Sequence, residues 1–247
     1  MADSVYFIGN LMERPELPVP REELEGLPGF RFLQPVADGR WERFELVSNE
    51  GLMGEERSSD GAAFVYESLV RRSGRRVLVV ARGKEVSDHL LHMLRNRGDA
   101  EHRFTRVRID VDGLVKRLVD NPVAYVLSAV NAEVPGYGRS LEKCAFWGND
   151  LGEADWFRTS VHRLKAYRCG LRLIQADEQT VSFGDYGSVG FMYRSERSVL
   201  EVEAALHYLR IGGHLDAPAG QESETEDGRG ETEPNFEAEY RERAAGG

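Results

Sequence analysis

The 247-residue sequence predicts a mixed α/β domain with a partly parallel sheet. Apolar runs typical of buried strands span 75–82 and 123–130, and residues 104–111 alternate between apolar and polar side chains. Helical patterns span 84–97 and 113–120, between these three strand segments. Strands that alternate with helices along a chain are typical of β-α-β units, in which the strands run parallel. The sequence therefore predicts a parallel arrangement in this part of the sheet.

The chain before this alternation predicts an arm, a hairpin and a helix. Residues 1–29 contain several spaced prolines and indicate an extended, Pro-rich N-terminal arm. An Asp-Gly turn between two apolar runs predicts a β-hairpin over 30–47, and Pro35 predicts that its first strand lies at a sheet edge. The pattern at 61–72 predicts a further helix.

The second half of the chain predicts C-terminal antiparallel strands. Residues 164–175 and 180–193 indicate strands, and a turn with two glycines interrupts the second run. Asp112 is expected to cap the helix at 113–120. The Ser-x-x-Glu pattern at 198–201 is a capping box that predicts the start of a last helix.

The last part of the chain, residues 216–247, has a composition of its own. It contains 10 acidic residues and 3 arginines, a net charge of −7, so the −10 of the whole chain leaves −3 for residues 1–215. Because so few apolar side chains cannot offset the entropy of ordering, we expect a disordered acidic tail here. The predicted organisation is an arm (1–29), a mixed α/β domain (30–215) and the tail.

The composition also predicts a compartment. No apolar run approaches the roughly 18 residues of a membrane span, and no basic segment precedes an apolar run at the N-terminus. Cys144 and Cys169 have no metal-binding or redox spacing and indicate reduced, structural thiols. We therefore expect a cytoplasmic protein without membrane contact. The predominance of arginine among the basic residues is typical of GC-rich prokaryotic or phage genomes.

Two carboxylates near the end of a predicted strand, Asp110 and Asp112, could share a divalent ion such as Mg²⁺, as phosphoryl-transfer enzymes require. The stretch DVDGLVKRLVDN at 110–121 resembles the D-x-D-x-F-K-x-x-N-D segment of GGDEF-type nucleotide cyclases, with Leu114 at the aromatic position. Asp150 and Asp185 are the further acids that could take part. The alternative gives Asp112 to a helix cap and Asp110 to a surface ion pair.

Two glycine-containing segments are candidates for anion binding. Gly83 and Lys84 follow a predicted buried strand and begin a helix, where backbone N–H groups can bind a phosphate. Gly136, Gly138 and Arg139 lie in a loop after another buried strand and could enclose an anion with backbone amides and a guanidinium group.

An aromatic cluster precedes and follows Asn149 and Asp150. It could stack nucleobases or contact a partner, or its rings could belong to the core. The cluster consists of Phe146, Trp147, Trp156 and Phe157.

No catalytic motif in the sequence is complete. We therefore expect a non-enzymatic binding or assembly component of a prokaryotic or phage cytoplasmic system, without a cofactor and with protein partners. A nucleic acid or nucleotide is a second kind of partner that the sequence allows. One alternative is a Mg²⁺-dependent nuclease, nucleotidyl-transfer or cyclase-like enzyme that uses Asp110 and Asp112. Another is ubiquitin-like conjugation through Gly246 and Gly247.

Overall fold

The computed structural model describes residues 5–14, 18–54, 62–97, 103–121, 125–135, 142–173 and 179–215. All of these residues belong to one unit, Met1–Ala217. The predicted acidic tail and the predicted anion loop at 136–140 lie outside the described residues. Within the described part of the chain, no helix has both the length and the apolar character needed to cross a membrane.

Strands and helices alternate irregularly along the described residues. The strands are β1 (Val5–Glu13), β2 (Phe30–Val36), β3 (Trp41–Ser48), β4 (Phe64–Ser73), β5 (Arg76–Arg82), β6 (Thr105–Arg106), β7 (Tyr125–Glu133), β8 (Lys143–Trp147), β9 (Lys165–Leu173), β10 (Thr180–Gly184) and β11 (Ser188–Tyr193). The helices are α1 (Arg21–Glu25), α2 (Lys84–Arg95), α3 (Val111–Asp120), α4 (Asp155–Ser160) and α5 (Glu196–Ile211), with short 3-10 turns at Leu151–Glu153 and Val161–Arg163.

One sheet of eleven strands contains all of these strands, in the order β2-β3-β4-β5-β1-β11-β10-β9-β7-β8, with β6 paired to β1. Every pairing between neighbouring strands is antiparallel. The prediction of a partly parallel sheet is therefore wrong.

The error concerns how the strands pair. Between β5 and β7 lie β1, β11, β10 and β9, and five antiparallel pairings make β5 and β7 run in opposite directions. The predicted strand at 104–111 is reduced to the two-residue β6. After β6 the backbone N–H of Ile109 donates to the carbonyl of Asp185 at 2.9 Å, so the chain passes the β10–β11 turn before α3 begins. The helices of the predicted β-α-β run therefore do not connect parallel neighbours.

Residues 1–29 do not form the predicted extended arm, because β1 is a central strand. β1 pairs with β5 on one side and with β11 and β6 on the other. Phe7, Leu11 and Met12 are each no more than 2% exposed. The prolines of this region follow β1 in sequence, so they do not interfere with its pairing.

The predicted helix at 61–72 is replaced by β4, which lies between β3 and β5. Leu69 belongs to a core on one face of the sheet, whereas Tyr66 and Val70 belong to a core on the other face. A strand that is buried on both faces loses the alternation of apolar and polar residues. From the sequence alone, the spacing of the apolar residues in β4 is then also compatible with a helix.

Several predicted elements are confirmed. The hairpin at 30–47 is present, and β2, which contains Pro35, lies at the edge of the sheet. The three longer helices lie where their apolar periodicity places them. One cap differs from the prediction: Asp110, and not Asp112, is the N-cap of α3.

Two hydrophobic cores lie on opposite faces of the sheet, since alternate residues of β5 contribute to different cores. On the first face, α3, α4 and α5 pack mainly over the C-terminal strands, with Leu118 and Val202 as examples. On the second face, α1 and α2 pack over β1 to β5, and Leu90 of α2 shares this core with Val79 of β5. The second face of β7, β9 and β10 contributes no described residue to either core.

Candidate functional site

The second face of the C-terminal strands is the largest part of the sheet that no described core covers. Along β9, Cys169 and Leu171 belong to the first-face core, and Arg168, Gly170 and Arg172 alternate with them. Because successive side chains of a strand point to opposite faces, these three residues lie on the second face. We call this surface the open face. Its residues are Tyr6, Ser128, Ala129, Asn131, Glu133, Lys143, Ala145, Trp147, Lys165, Tyr167, Arg168, Gly170, Arg172, Thr180, Ser182 and Gly190.

Small side chains form the floor of the open face. A Cβ atom on Gly170 would lie 3.0 Å from Cγ2 of Thr180, so a larger residue would displace its neighbours. A Cβ atom on Gly190 would likewise collide with the side chains of Tyr6 and Ser182. The hydroxyl oxygens of Tyr6 and Ser182 are 3.4 Å apart. Side chains of neighbouring strands therefore fill the space above both glycines.

Asn131 is a buried amide in this floor. Its residue is 2% exposed, and it lies opposite Arg168 of β9 and Ala145 of β8 in the sheet register. Among the described residues, no donor forms a hydrogen bond with its Oδ1 atom. A buried acceptor without a donor costs about 1–3 kcal/mol. Because the side chain is enclosed by the protein, this cost belongs to the fold.

Basic side chains surround the floor. Arg172 reaches over it, and its Nη2 donates to the carbonyl of Asn149 at 2.7 Å. Lys165 is exposed, and its Nζ lies 3.9 Å from Oε2 of Glu133. Together, β7, β8, β9 and β10 contain four basic residues and one acidic residue, a net charge of +3. The basic residues are Lys143, Lys165, Arg168 and Arg172, so the positive charge of the C-terminal strands lies on this one face.

Aromatic rings accompany the basic residues. The ammonium group of Lys143 lies 5.7 Å from the ring centroid of Tyr167. Trp147, on the edge strand β8, is 41% exposed and lies opposite Ala129. The structure divides the predicted aromatic cluster, because Phe146 packs against α4 on the first face and Trp147 points to the open face.

The β10–β11 turn adds a carboxyl group beside this surface. Burial raises the pKa of Asp185 to about 6, against the opposing effects of the Tyr186 backbone N–H, Arg108 and Lys165. The backbone N–H of Asp185 donates to the carbonyl of Tyr167 at 2.9 Å. Asp185 thus lies close to Lys165 and Tyr167 of the open face.

Asp110, a predicted Mg²⁺ ligand, has a structural role at the start of α3. Its Oδ1 accepts a hydrogen bond from the backbone N–H of Gly113 at 2.9 Å. Its Oδ2 lies 3.4 Å from Nδ1 of His214. The predicted capping role belongs to this residue because it, and not Asp112, immediately precedes the helix.

Asp112 and Asp150 also have hydrogen-bond partners within the protein. Oδ1 of Asp112 accepts from the backbone N–H of Ala166 at 2.9 Å, and its Oδ2 lies 2.5 Å from Nζ of Lys116. Oδ1 of Asp150 accepts from the backbone N–H of Gly152 at 2.9 Å and begins a 3-10 turn. No cluster of three His, Cys, Asp or Glu side chains suited to a metal ion occurs among the described residues. The four predicted acids are therefore not brought to one point.

The two predicted anion sites have different outcomes. Gly83 is the N-cap of α2 with a φ of 92°, and Lys84 begins the helix as expected. The Cε atom of Met53 lies 3.0 Å from the position of a Cβ on Gly83, so an apolar side chain packs beside this helix terminus. Gly136, Gly138 and Arg139 lie outside the described residues.

A scan of protein-family models finds no match to this chain, and a search of curated proteins finds no matching sequence.

The sequence prediction missed the open face, although the chain carries two signals for it. The alternation of Arg168 and Arg172 with apolar residues in KAYRCGLRL indicates a strand with one polar face. Asn131 lies among Ala129, Val130 and Ala132 of β7, and a polar residue in such an apolar run is typical of a buried polar group with a role. Neither signal says which face of the sheet the helices leave uncovered.

Proposed function

We propose that the protein is a non-enzymatic binding component and that its open face binds an anionic ligand. The observation that carries this proposal is the concentration of positive charge on a surface that no described core covers. The four strands of the open face have a net charge of +3, whereas residues 1–215 together have a net charge of −3. A local basic surface on a weakly acidic body attracts anions to one place.

The chemistry of the surface supports this assignment. Arg168 and Arg172 can each donate two parallel hydrogen bonds to a phosphate, sulfate or carboxylate group. Lys143 and Lys165 add positive charge at exposed positions of the same strands.

The proposal agrees with the sequence-based expectation of a binding component, and membership in a prokaryotic or phage cytoplasmic system stays a prediction. The Mg²⁺-enzyme alternative has less support, because each carboxylate oxygen of Asp110 and Asp112 already has a partner in the protein. Conjugation through Gly246 and Gly247 concerns residues outside the described part of the chain and also stays a prediction.

The test is a fluorescence-anisotropy titration of the full chain with two labelled polyanions, a heparin oligosaccharide and a short single-stranded oligonucleotide. The test variant is R168A/R172A on the open face. The matched control is R158A/R210A, which removes the same charge from exposed residues of α4 and α5 on the opposite face. Circular dichroism and melting curves establish that both variants fold.

We expect the wild type to bind at least one of the polyanions. The open-face variant should lose at least about tenfold in affinity, because each arginine contributes a charge-assisted hydrogen bond. The control should change affinity by less than about twofold, since its charges are distant and screened. Equal losses in both variants, or no binding by the wild type, would contradict the proposal.

A further inference from the structure

We infer that the ligand of the open face is single-stranded nucleic acid, an inference that rests on the function proposed above. Phosphates, sulfates and carboxylates share the negative charge that the basic residues attract. The choice among them therefore depends on the aromatic rings of the open face, Trp147 and Tyr167.

The aromatic rings favour a single strand over a duplex. A basic surface interleaved with exposed aromatic rings is the arrangement that binds single strands, because unpaired bases stack on the rings. Trp147 is 41% exposed at one side of the surface, and Tyr167 lies beside Lys143. A duplex keeps its bases stacked inside and turns their Watson–Crick edges away from a flat sheet.

The dimensions of the surface suit a short strand. Three strand spacings separate β8 from β10, which corresponds to about 14 Å. Arg168 and Arg172 are four residues apart on β9, about 13 Å along the strand. We therefore place the bases of a short strand between Trp147 and the floor, with phosphates at the two arginines.

The experiment compares four labelled probes with the full-length chain at one salt concentration. The probes are a single-stranded oligonucleotide, the duplex of the same sequence, a heparin oligosaccharide and poly-glutamate. The test variant is W147A on the open face. W147F retains an aromatic ring on the open face, and W156A removes an exposed tryptophan from the opposite face as the matched control.

We expect the single strand to bind more tightly than the duplex and poly-glutamate. W147A should weaken single-strand binding about tenfold, and W147F should restore most of it, because stacking needs a ring and not an indole in particular. W147A should leave heparin binding within about twofold of the wild type, since heparin affinity depends on charge. W156A should have no effect on either probe.

Three outcomes overturn the inference while the proposed anion-binding function stands. They are preferred binding of the duplex, preferred binding of poly-glutamate, and single-strand binding that none of the open-face variants alters relative to heparin. Absence of binding to all four probes overturns the proposed function as well. If W147A does not fold, W147L, which keeps a large apolar side chain and removes the ring, decides the result by its ratio of single-strand to heparin affinity.

Discussion

Asp185 should destabilise the fold when it is ionised. Burial raises its pKa to about 6 from an ordinary value of 3.8. Between these two values the folded state binds more protons than the unfolded state, so stability falls as the pH rises from about 4 to about 6. Two pKa units correspond to about 3 kcal/mol, and partial exposure of the side chain reduces this to about 1–2 kcal/mol. We predict that D185N is more stable than the wild type by this amount near neutral pH.

Urea denaturation of both proteins at about pH 7.5 and pH 4.5 measures this effect. The advantage of D185N should shrink at the lower pH, where the wild-type carboxyl group is largely protonated in the folded state. The amide side chain of D185N keeps an oxygen that can accept from the Tyr186 backbone N–H, so the substitution changes charge and not shape. D155N, which alters an exposed carboxyl group at the start of α4, is the control and should change stability by less than about 0.5 kcal/mol. A less stable D185N whose deficit does not change with pH would refute this reasoning.

The remaining predictions concern stability and metal binding. E203A should lower the free energy of unfolding by about 2–3 kcal/mol in urea titrations. The cause is that the buried Nε1 of Trp41 donates to Glu203 at 3.2 Å and would lose this acceptor. E203Q, which keeps an acceptor oxygen, should lower the free energy of unfolding by less. D110N/D112N should change stability by less than about 1 kcal/mol, since asparagine caps helices well and exposed ion pairs are weak. We also expect calorimetry of the wild type with Mg²⁺ to show no saturable heat; a saturable signal lost in the double variant would favour the enzyme alternative. L127A, at a position 2% exposed, should cost about 2–4 kcal/mol by thermal or urea unfolding, and a loss below about 1 kcal/mol would contradict the observed packing.

The elements of the fold were more predictable than their pairing. The apolar runs of β5 and β7 identify buried strands, but they do not reveal that four other strands lie between them. β1 supplies the pairing partner of both β5 and β11, and its sequence lies before a proline-rich segment that suggested an arm. Antiparallel pairing between strands that are distant in sequence produces no local signal in the sequence. The periodicity of the apolar side chains therefore predicts strands and helices, but it does not predict whether neighbouring strands run parallel or antiparallel.

The candidate site was less predictable, because it depends on what the helices leave uncovered. α2 covers the second face beside β5 and β1, whereas α3 lies on the first face beside β7 and β9. Between these helices the chain crosses from the second face of the sheet to the first face at 107–110. The backbone N–H groups of this short irregular segment donate to residues that are distant in sequence. The carboxylates of Asp110 and Asp112 suggested a metal site because their spacing is visible in sequence. Their actual partners, His214 and Ala166 among them, come from distant positions.

The salt dependence of single-strand binding tests the central claim most directly. Four basic residues on the open face predict a slope of log affinity against log salt near −2.8, from about −0.7 for each neutralised phosphate. R168A/R172A should reduce the slope to about −1.4, and R158A/R210A should leave it near the wild-type value. A slope that both double variants reduce equally, or that the open-face variant leaves unchanged, would contradict the claim that this face binds the ligand.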